Sequence, residues 1–154
     1  MIKKTIQIKN KKAYHDYTIV ETYEAGISLL GSEVKSIRNG KANLSGGWVN
    51  ITEGLEMQLE NIHISQYDKA SLENHDPKRR RKLLMHKKEI IKISNKTHNS
   101  HFTIVPLKIY ETRSLIKIQI GLAKGKKNYD KRESDKKSTA AKEIAASMKK
   151  HNSN

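Results

Sequence analysis

The chain has 154 residues, of which 31 are Lys or Arg and only 16 are Asp or Glu, so its formal net charge is +15. This exceeds the charge of about 2–8 that keeps a small domain soluble, and it favours a polyanionic partner, with nucleic acid first and an anionic membrane surface second. The sequence has no cysteine and no apolar run of about 18 residues, which excludes disulfides, cysteine-based zinc modules and a membrane-spanning helix.

The N-terminal segment, residues 1–16, is polar and basic, and we interpret it as an arm that leads into the folded domain. No apolar stretch of about 7–15 residues follows Met1, so a secretory signal is not indicated and we expect a cytoplasmic protein. Residues 17–30 are rich in β-branched and aromatic side chains in alternation, which predicts a strand. Gly26 interrupts the pattern and predicts a bulge or bend.

Residues 31–40 predict a short helix that Ser32 can cap and Gly40 can end. The outward face of this helix is basic and carries Lys35 and Arg38, with Lys41 just beyond. We therefore expect a cationic surface along it.

A β-hairpin is predicted over residues 48–52 and 55–62, because apolar and polar residues alternate on both sides of a Glu53-Gly54 turn. Residues 63–82 then form a long polar connection. Pro77 lies inside this connection and blocks regular structure locally.

Residues 83–96 predict a helix, because leucines and isoleucines recur there at helical spacing. Residues 103–110 and 115–122 predict the last two strands, and in the second the isoleucines alternate with Lys117, Gln119 and Gly121. Pro106 lies within the first of this pair, which predicts an edge position or a bulge.

The character of the chain changes after Ala123. Residues 124–154 hold ten Lys or Arg and four acidic residues, a net charge of +6, and large apolar residues become rare. Asp130 and Glu133 have capping-box spacing, and apolar residues repeat every four positions further on. We interpret the segment as a basic tail, disordered when free because no core supports its helix, and helical when bound.

Many short strands, a few short helices and a basic surface predict a mainly β fold. We expect an OB-like closed antiparallel β-barrel over residues 17–123, with two or three short flanking helices. The N-terminal arm and the basic C-terminal tail then lie outside the barrel.

The sequence holds no motif of a catalytic site. P-loop, GxGxxG and GxSxG patterns are all absent. The seven histidines lack the spacing of a metal-ligand set, and we interpret them as solvated or RNA-contacting. We therefore expect neither an enzyme nor a metal or other cofactor.

Two basic clusters favour RNA binding, because phosphate contacts supply most of the affinity of such complexes. Residues 78–82 are five consecutive cations, although a solvated loop would look the same. Lys124, Lys126 and Lys127 follow the last strand, where Gly125 allows the backbone to approach a phosphate closely.

Two further residues are candidates for direct contact with RNA. Tyr129 can stack on a base, or fold back onto the barrel instead. Glu24, an acid in basic surroundings, can bind a base edge or 2′-OH, or pair with a lysine. The sequence leaves both choices open.

Several blocks follow one another in a specific order: NKKAYHDY from residue 10, YEAGI from 23, GSEVKSIR from 31, GKANL from 40, NHDP from 74, RKLL from 81, HKKEI from 86, VPL from 105, IGLAKGKK from 120 and YDKR from 129. In order and spacing they resemble the small protein B (SmpB) family of SsrA-binding proteins. Gly46-Gly47-Trp48 departs from the family, which usually has Asp-Ser-Tyr there.

The resemblance implies that the barrel binds the tRNA-like domain of transfer-messenger RNA. It implies that the tail enters the vacant mRNA channel of a stalled 70S ribosome and folds at the decoding centre of the 16S rRNA. Translation then resumes on the alanine-charged RNA, and the stalled product is tagged. We expect a monomer that does not bind a membrane.

The expected RNA-binding residues are Lys11, Lys12, His15, Glu24, Lys35, Arg38, Lys41, Asn43, Arg79, Arg81, Lys82, Lys124, Lys126 and Lys127. The expected decoding-centre residues are Tyr129, Asp130, Lys131, Arg132, Met148 and Lys149. The alternative functions are a structural ribosomal protein, a general single-stranded RNA-binding OB protein and an RNA-processing enzyme.

Overall fold

The computed structural model describes residues 6–67, 74–126 and 131–132. Within these ranges the fold is mainly β, with three helices and nine strands. The helices are α1 (Lys11–Asp16), α2 (Gly31–Arg38) and α3 (Lys87–Asn99). The strands are β1 (Gln7–Lys9), β2 (Tyr17–Ile27), β3 (Ala42–Asn43), β4 (Trp48–Ile51), β5 (Met57–Glu60), β6 (His63–Ile64), β7 (Arg81–Leu84), β8 (Thr103–Thr112) and β9 (Leu115–Gly125).

Seven strands form one antiparallel sheet in the order β1-β8-β9-β2-β7-β5-β4, and β3 pairs separately with β6. The prediction of a closed barrel is wrong, because β4 lies against β8 without pairing with it. Pro106 in β8 has no N–H to donate to a ladder. The Asn10 side chain instead donates to the carbonyls of Pro106 and Leu44, at 2.8 and 3.2 Å. The sheet is therefore curled, with an open seam at this point.

The main core lies on the inner face of the curled sheet. Ile118 and Ile120 of β9 are fully buried there, as the alternation of the sequence predicts. Ile93 of α3 packs into the same cluster. Burial of each such side chain contributes about 1.5–3 kcal/mol to the stability of the fold, so these apolar contacts hold α3 against the sheet.

A smaller core lies on the outer face, beneath α1. Ala13 of this helix packs with Val105, Leu107 and Ala123. Gly121 leaves room for the Leu107 side chain in this core, because a Cβ at position 121 would lie 2.9 Å from it. The helix therefore covers one end of the outer face.

Two predictions about the first 30 residues differ from the structure. Residues 7–16 form β1, which pairs with β8, and α1, rather than an arm. The register of β2 shifts between Ile19 and Glu21 rather than at Gly26, which pairs regularly with neighbours on both sides. The intervening Val20 is half exposed, so the bulge turns an apolar side chain to solvent.

The helix predicted over residues 83–96 begins later. Leu83 and Leu84 belong to β7, which pairs with both β2 and β5, and α3 starts at Lys87. Hydrogen bonding to two neighbouring strands outweighs the helical spacing of these leucines. None of the helices in the described ranges has the length and apolar content needed to cross a membrane.

The cap of α2 also differs from the prediction. Leu30 is the N-cap residue, and its amide N–H donates to Glu33 Oε1 at 2.8 Å. The hydroxyl of Ser32 bonds His75 Nδ1 at 2.8 Å instead. By contrast, the β4–β5 hairpin, the β8–β9 pair and the bulge after Pro106 are confirmed.

Candidate nucleic-acid interface

The first group of predicted RNA-binding residues lies where α1 meets the end of β9. The Lys126 amide N–H donates to the Asp16 carbonyl at 2.8 Å, and its ammonium donates to the Tyr14 carbonyl at 3.1 Å. The second of these bonds joins residues 112 positions apart in the chain. They bring together a set that we call the α1 pole, comprising Lys11, Lys12, His15, Lys124 and Lys126.

Asp16 is the acidic centre of the α1 pole. His15 Nδ1 bonds its carboxylate at 2.9 Å, and the Lys131 ammonium lies 3.9 Å from the same oxygen. The hydrogen bond from His15, together with the nearby positive charge of Lys131, lowers the pKa of Asp16. The ionised carboxylate therefore holds His15 in place and attracts Lys131, one of the predicted decoding-centre residues.

Lys124 is exposed near the end of β9, where it pairs with Thr18 of β2. Its ammonium lies 4.9 Å from the centroid of the Phe102 ring. A cation–π contact of this kind restrains a lysine without neutralising it. Sequence analysis missed Phe102, although an aromatic residue directly before a strand is a usable signal.

Glu24 lies on the outer face of the sheet and is exposed. The Tyr110 hydroxyl donates a hydrogen bond to its carboxylate across β9. Partial burial, with the bond to Glu24, raises the pKa of Tyr110 to about 12, so this hydroxyl remains a donor at neutral pH. Glu24 therefore pairs with a tyrosine, an arrangement that the sequence-based alternatives did not include.

Arg81 was predicted to bind RNA, and the structure corrects this assignment. Its side chain is completely buried and bonds the equally buried Glu33 at 2.5 Å. Arg79 bonds the other oxygen of Glu33 at 2.6 Å and is one-third exposed. Burial opposes ionisation of Glu33, but hydrogen bonds from Arg79, the Leu30 amide and Arg81 outweigh it and lower its pKa. The two arginines therefore tie α2 to β7.

The other predicted RNA-binding residues that the structure describes lie around α2 and β7. Lys35 lies over the Tyr67 ring at 5.2 Å, and Arg38 pairs with Glu111 at 3.3 Å. Lys41 and Asn43 are exposed, and Lys82 is exposed with its ammonium 3.4 Å from Glu56.

The distance between the two groups follows from the register of β8 and β9. Glu111, the partner of Arg38, pairs with Ile116, and Ile116 lies eight residues before Lys124 on β9. Arg38 thus lies about 26 Å along the sheet from the α1 pole, at 3.3 Å per residue.

Five predicted site residues lie outside the described ranges: Lys127, Tyr129, Asp130, Met148 and Lys149. Arg132 is described and exposed. The structure also reveals cations that no motif marks, namely Lys9, Lys108 and Lys117, all directed to the outer face. The alternation of Lys117 with buried isoleucines was the signal that could have found one of them.

His75 is a structural residue rather than a solvated or RNA-contacting one. It is buried, with Nδ1 bonded to Ser32 and Nε2 bonded to the Ile64 carbonyl at 2.9 Å. Across the described ranges, no three histidine or acidic side chains are grouped so that they could hold a metal ion.

The chain is similar to known proteins over most of its length. The family model described as SmpB protein matches residues 7–150. The SsrA-binding protein of Carboxydothermus hydrogenoformans is 53% identical over 141 residues, covering 92% of this chain and 94% of the relative. That of Geotalea uraniireducens is 52% identical over 143 residues, with 93% and 94% covered. A solved chain described as "tmRNA-SmpB: a journey to the center of the bacterial ribosome" is 49% identical, with a TM-score of 0.67 and coverage of 86% and 92%.

Proposed function

The chain belongs to the SmpB protein family, and from this premise we propose that it is the RNA-binding adaptor of trans-translation. In this role it binds the tRNA-like domain of transfer-messenger RNA and delivers it to stalled 70S ribosomes. It acts by binding and placement rather than by catalysis, as a monomer in the cytoplasm without a cofactor. Relatives named SsrA-binding protein, and a solved relative described with transfer-messenger RNA and the bacterial ribosome, support the proposal.

The observation that carries the proposal is the α1 pole. Two of its lysines are already restrained, Lys124 over the Phe102 ring and Lys126 by the Tyr14 carbonyl. Restrained cations suit a folded RNA, because they contact phosphates with little further ordering of long side chains. Lys126 is bonded to α1 by both its backbone and its ammonium, so the basic tail begins at the edge of this surface. An RNA held at the pole and a tail extending from it can then contact two sites on one ribosome.

We assign RNA contacts to the predicted RNA-binding residues and leave Arg81 to its structural role. One end of the surface consists of Lys11, Lys12, His15, Lys124 and Lys126, and the other consists of Lys35, Arg38, Lys41, Asn43, Arg79 and Lys82. Lys127, which lies outside the described ranges, is assigned to the same RNA. Glu24 lies between the two ends on the sheet and accepts hydrogen bonds from a base edge or a 2′-OH. The resulting surface is long enough to follow a folded RNA rather than a single nucleotide.

The tail is proposed to occupy the vacant decoding centre and mRNA channel. Tyr129, Asp130, Lys131 and Arg132 contact the 16S rRNA there, and Met148-Lys149 anchor the far end of the tail. The seam between β4 and β8 is narrow enough that we relate the curled sheet to an OB-like barrel, the type of fold that binds nucleic acid on a curved face.

The test separates RNA binding from ribosome rescue. Deletion of residues 128–154 should leave affinity for the tRNA-like domain within about twofold of wild type, and should abolish tagging of peptides stalled on an mRNA without a stop codon. Deletion of residues 151–154 alone should preserve both activities. Loss of RNA affinity in the longer deletion would make the tail an electrostatic arm, as expected for a ribosomal or general RNA-binding protein.

A further inference from the structure

The outer face of the sheet carries a patch that we call the open sheet face: Lys9, Lys108, Tyr110, Lys117, Gln119 and Glu24. Register places Lys9, Lys108, Gln119 and Glu24 side by side on four neighbouring strands. Tyr110 and Lys117 are neighbours in the next row. Neighbouring strands are about 4.8 Å apart, so the patch is continuous.

Alternation along each strand directs these side chains away from the core. Ile109 of β8 and Ile118 of β9 are completely buried on the other face. Lys9 and Glu24 are exposed, and Lys108, Tyr110 and Lys117 are partly exposed. Three lysines on β1, β8 and β9 therefore share with the Glu24 carboxylate of β2 a surface that α1 covers only at one end.

Tyr110 links the charged groups of the patch. Its hydroxyl bonds Glu24 across β9, and the Lys108 ammonium lies 5.3 Å from the centroid of its ring. A carboxylate has about four acceptor positions, so one bond from tyrosine leaves the others available. Holding Glu24 before RNA arrives reduces the conformational entropy that binding must remove.

We propose that the open sheet face is part of the RNA interface, with Lys108 and Lys117 contacting phosphates and Tyr110 positioning Glu24 to accept from a ribose or base. This inference rests on the proposed function and adds to its contacts. RNA fits the patch because it presents phosphates together with 2′-OH and base N–H donors. An anionic lipid surface supplies phosphates but would repel the fixed carboxylate.

The phosphate contacts are tested with Lys108→Ala and Lys117→Ala, using the transcribed tRNA-like domain at several salt concentrations. Each variant should reduce the slope of log affinity against log salt by about one unit. Lys88→Ala, which removes an exposed lysine of α3, should leave the slope unchanged. Unchanged slopes in the first two variants, with normal wild-type binding and tagging, would overturn the inference and leave the proposed function standing. Failure of the wild type to bind would overturn both.

The role of Tyr110 is tested with Tyr110→Phe, which removes only the hydroxyl. Affinity for the tRNA-like domain should fall about threefold to tenfold, as expected for one lost hydrogen bond. In a Glu24→Ala background the same change should have no further effect, because a positioning residue acts only through its partner. An equal loss in both backgrounds would show that Tyr110 does not act through Glu24. Circular dichroism confirms that each variant is folded.

Discussion

Replacing Glu33 with glutamine removes the negative charge at the centre of the buried network between α2 and β7. Glu33 and Arg81 have no exposed side-chain surface, and the carboxylate accepts bonds from Arg81 at 2.5 Å, Arg79 at 2.6 Å and the Leu30 amide at 2.8 Å. The variant leaves the Arg81 guanidinium buried without its counter-charge. Breaking a buried pair in this way costs about 3–5 kcal/mol, a large part of the roughly 5–15 kcal/mol that stabilises a domain.

Urea unfolding followed by far-ultraviolet circular dichroism measures this loss. At an m value of about 2 kcal/mol/M, the midpoint should fall by about 2 M. Glu56→Gln is the matched control, because Glu56 pairs with Lys82 at 3.4 Å and both side chains are about half exposed. Exposed pairs contribute about 0–1 kcal/mol, so the control midpoint should hardly change.

A second variant distinguishes the unpaired charge from the loss of packing. Glu33→Leu combined with Arg81→Met removes both buried charges, and should be more stable than Glu33→Gln, because apolar replacement of a buried pair is often neutral. A midpoint for Glu33→Gln equal to that of Glu56→Gln would refute the reasoning, since it would mean that Arg81 has another way to satisfy its charge.

Three other outcomes are expected. The lowered pKa of Glu33 means that its stabilising effect is complete above the ordinary value of 4.5 and is lost as the pH falls through the folded-state pKa, so acid should shift the urea midpoint of wild type more than that of Glu33→Gln. Lys124→Ala should weaken binding of the tRNA-like domain by about 1 kcal/mol or more and reduce its salt slope by roughly one unit, whereas an unchanged slope would place Lys124 away from any phosphate. Gly121→Ala should lower the free energy of unfolding by about 1–3 kcal/mol, because the added Cβ would lie 2.9 Å from Leu107 and 3.1 Å from Ile19, and an unaltered melting temperature would contradict this.

The elements that could be predicted from the sequence have patterns complete within a few residues. The alternation of Ile116, Ile118 and Ile120 predicts β9, and all three pack in or against the main core. Pro106 predicts a bulge, and the register shifts directly after it. The family blocks predict the RNA-binding family, and the family model matches nearly the whole chain.

Other features depend on contacts between segments that are distant in the sequence. Leu83 has helical spacing to Ile90 but lies in a strand, because β2 and β5 both offer it backbone partners. The sheet stays open between β4 and β8, because Pro106 meets the segment before β4 and the Asn10 side chain bonds there in place of a ladder.

The candidate site divides in the same way. The sequence by itself determined that cations are abundant and where they cluster along the chain. Only the tertiary structure decided that Arg81 is buried against Glu33, 48 residues away, that Tyr110 bonds Glu24, 86 residues away, and that Lys126 bonds the end of α1. A charged residue has the same local sequence whether it faces RNA or the core, because its environment is set by the partner that the fold brings to it.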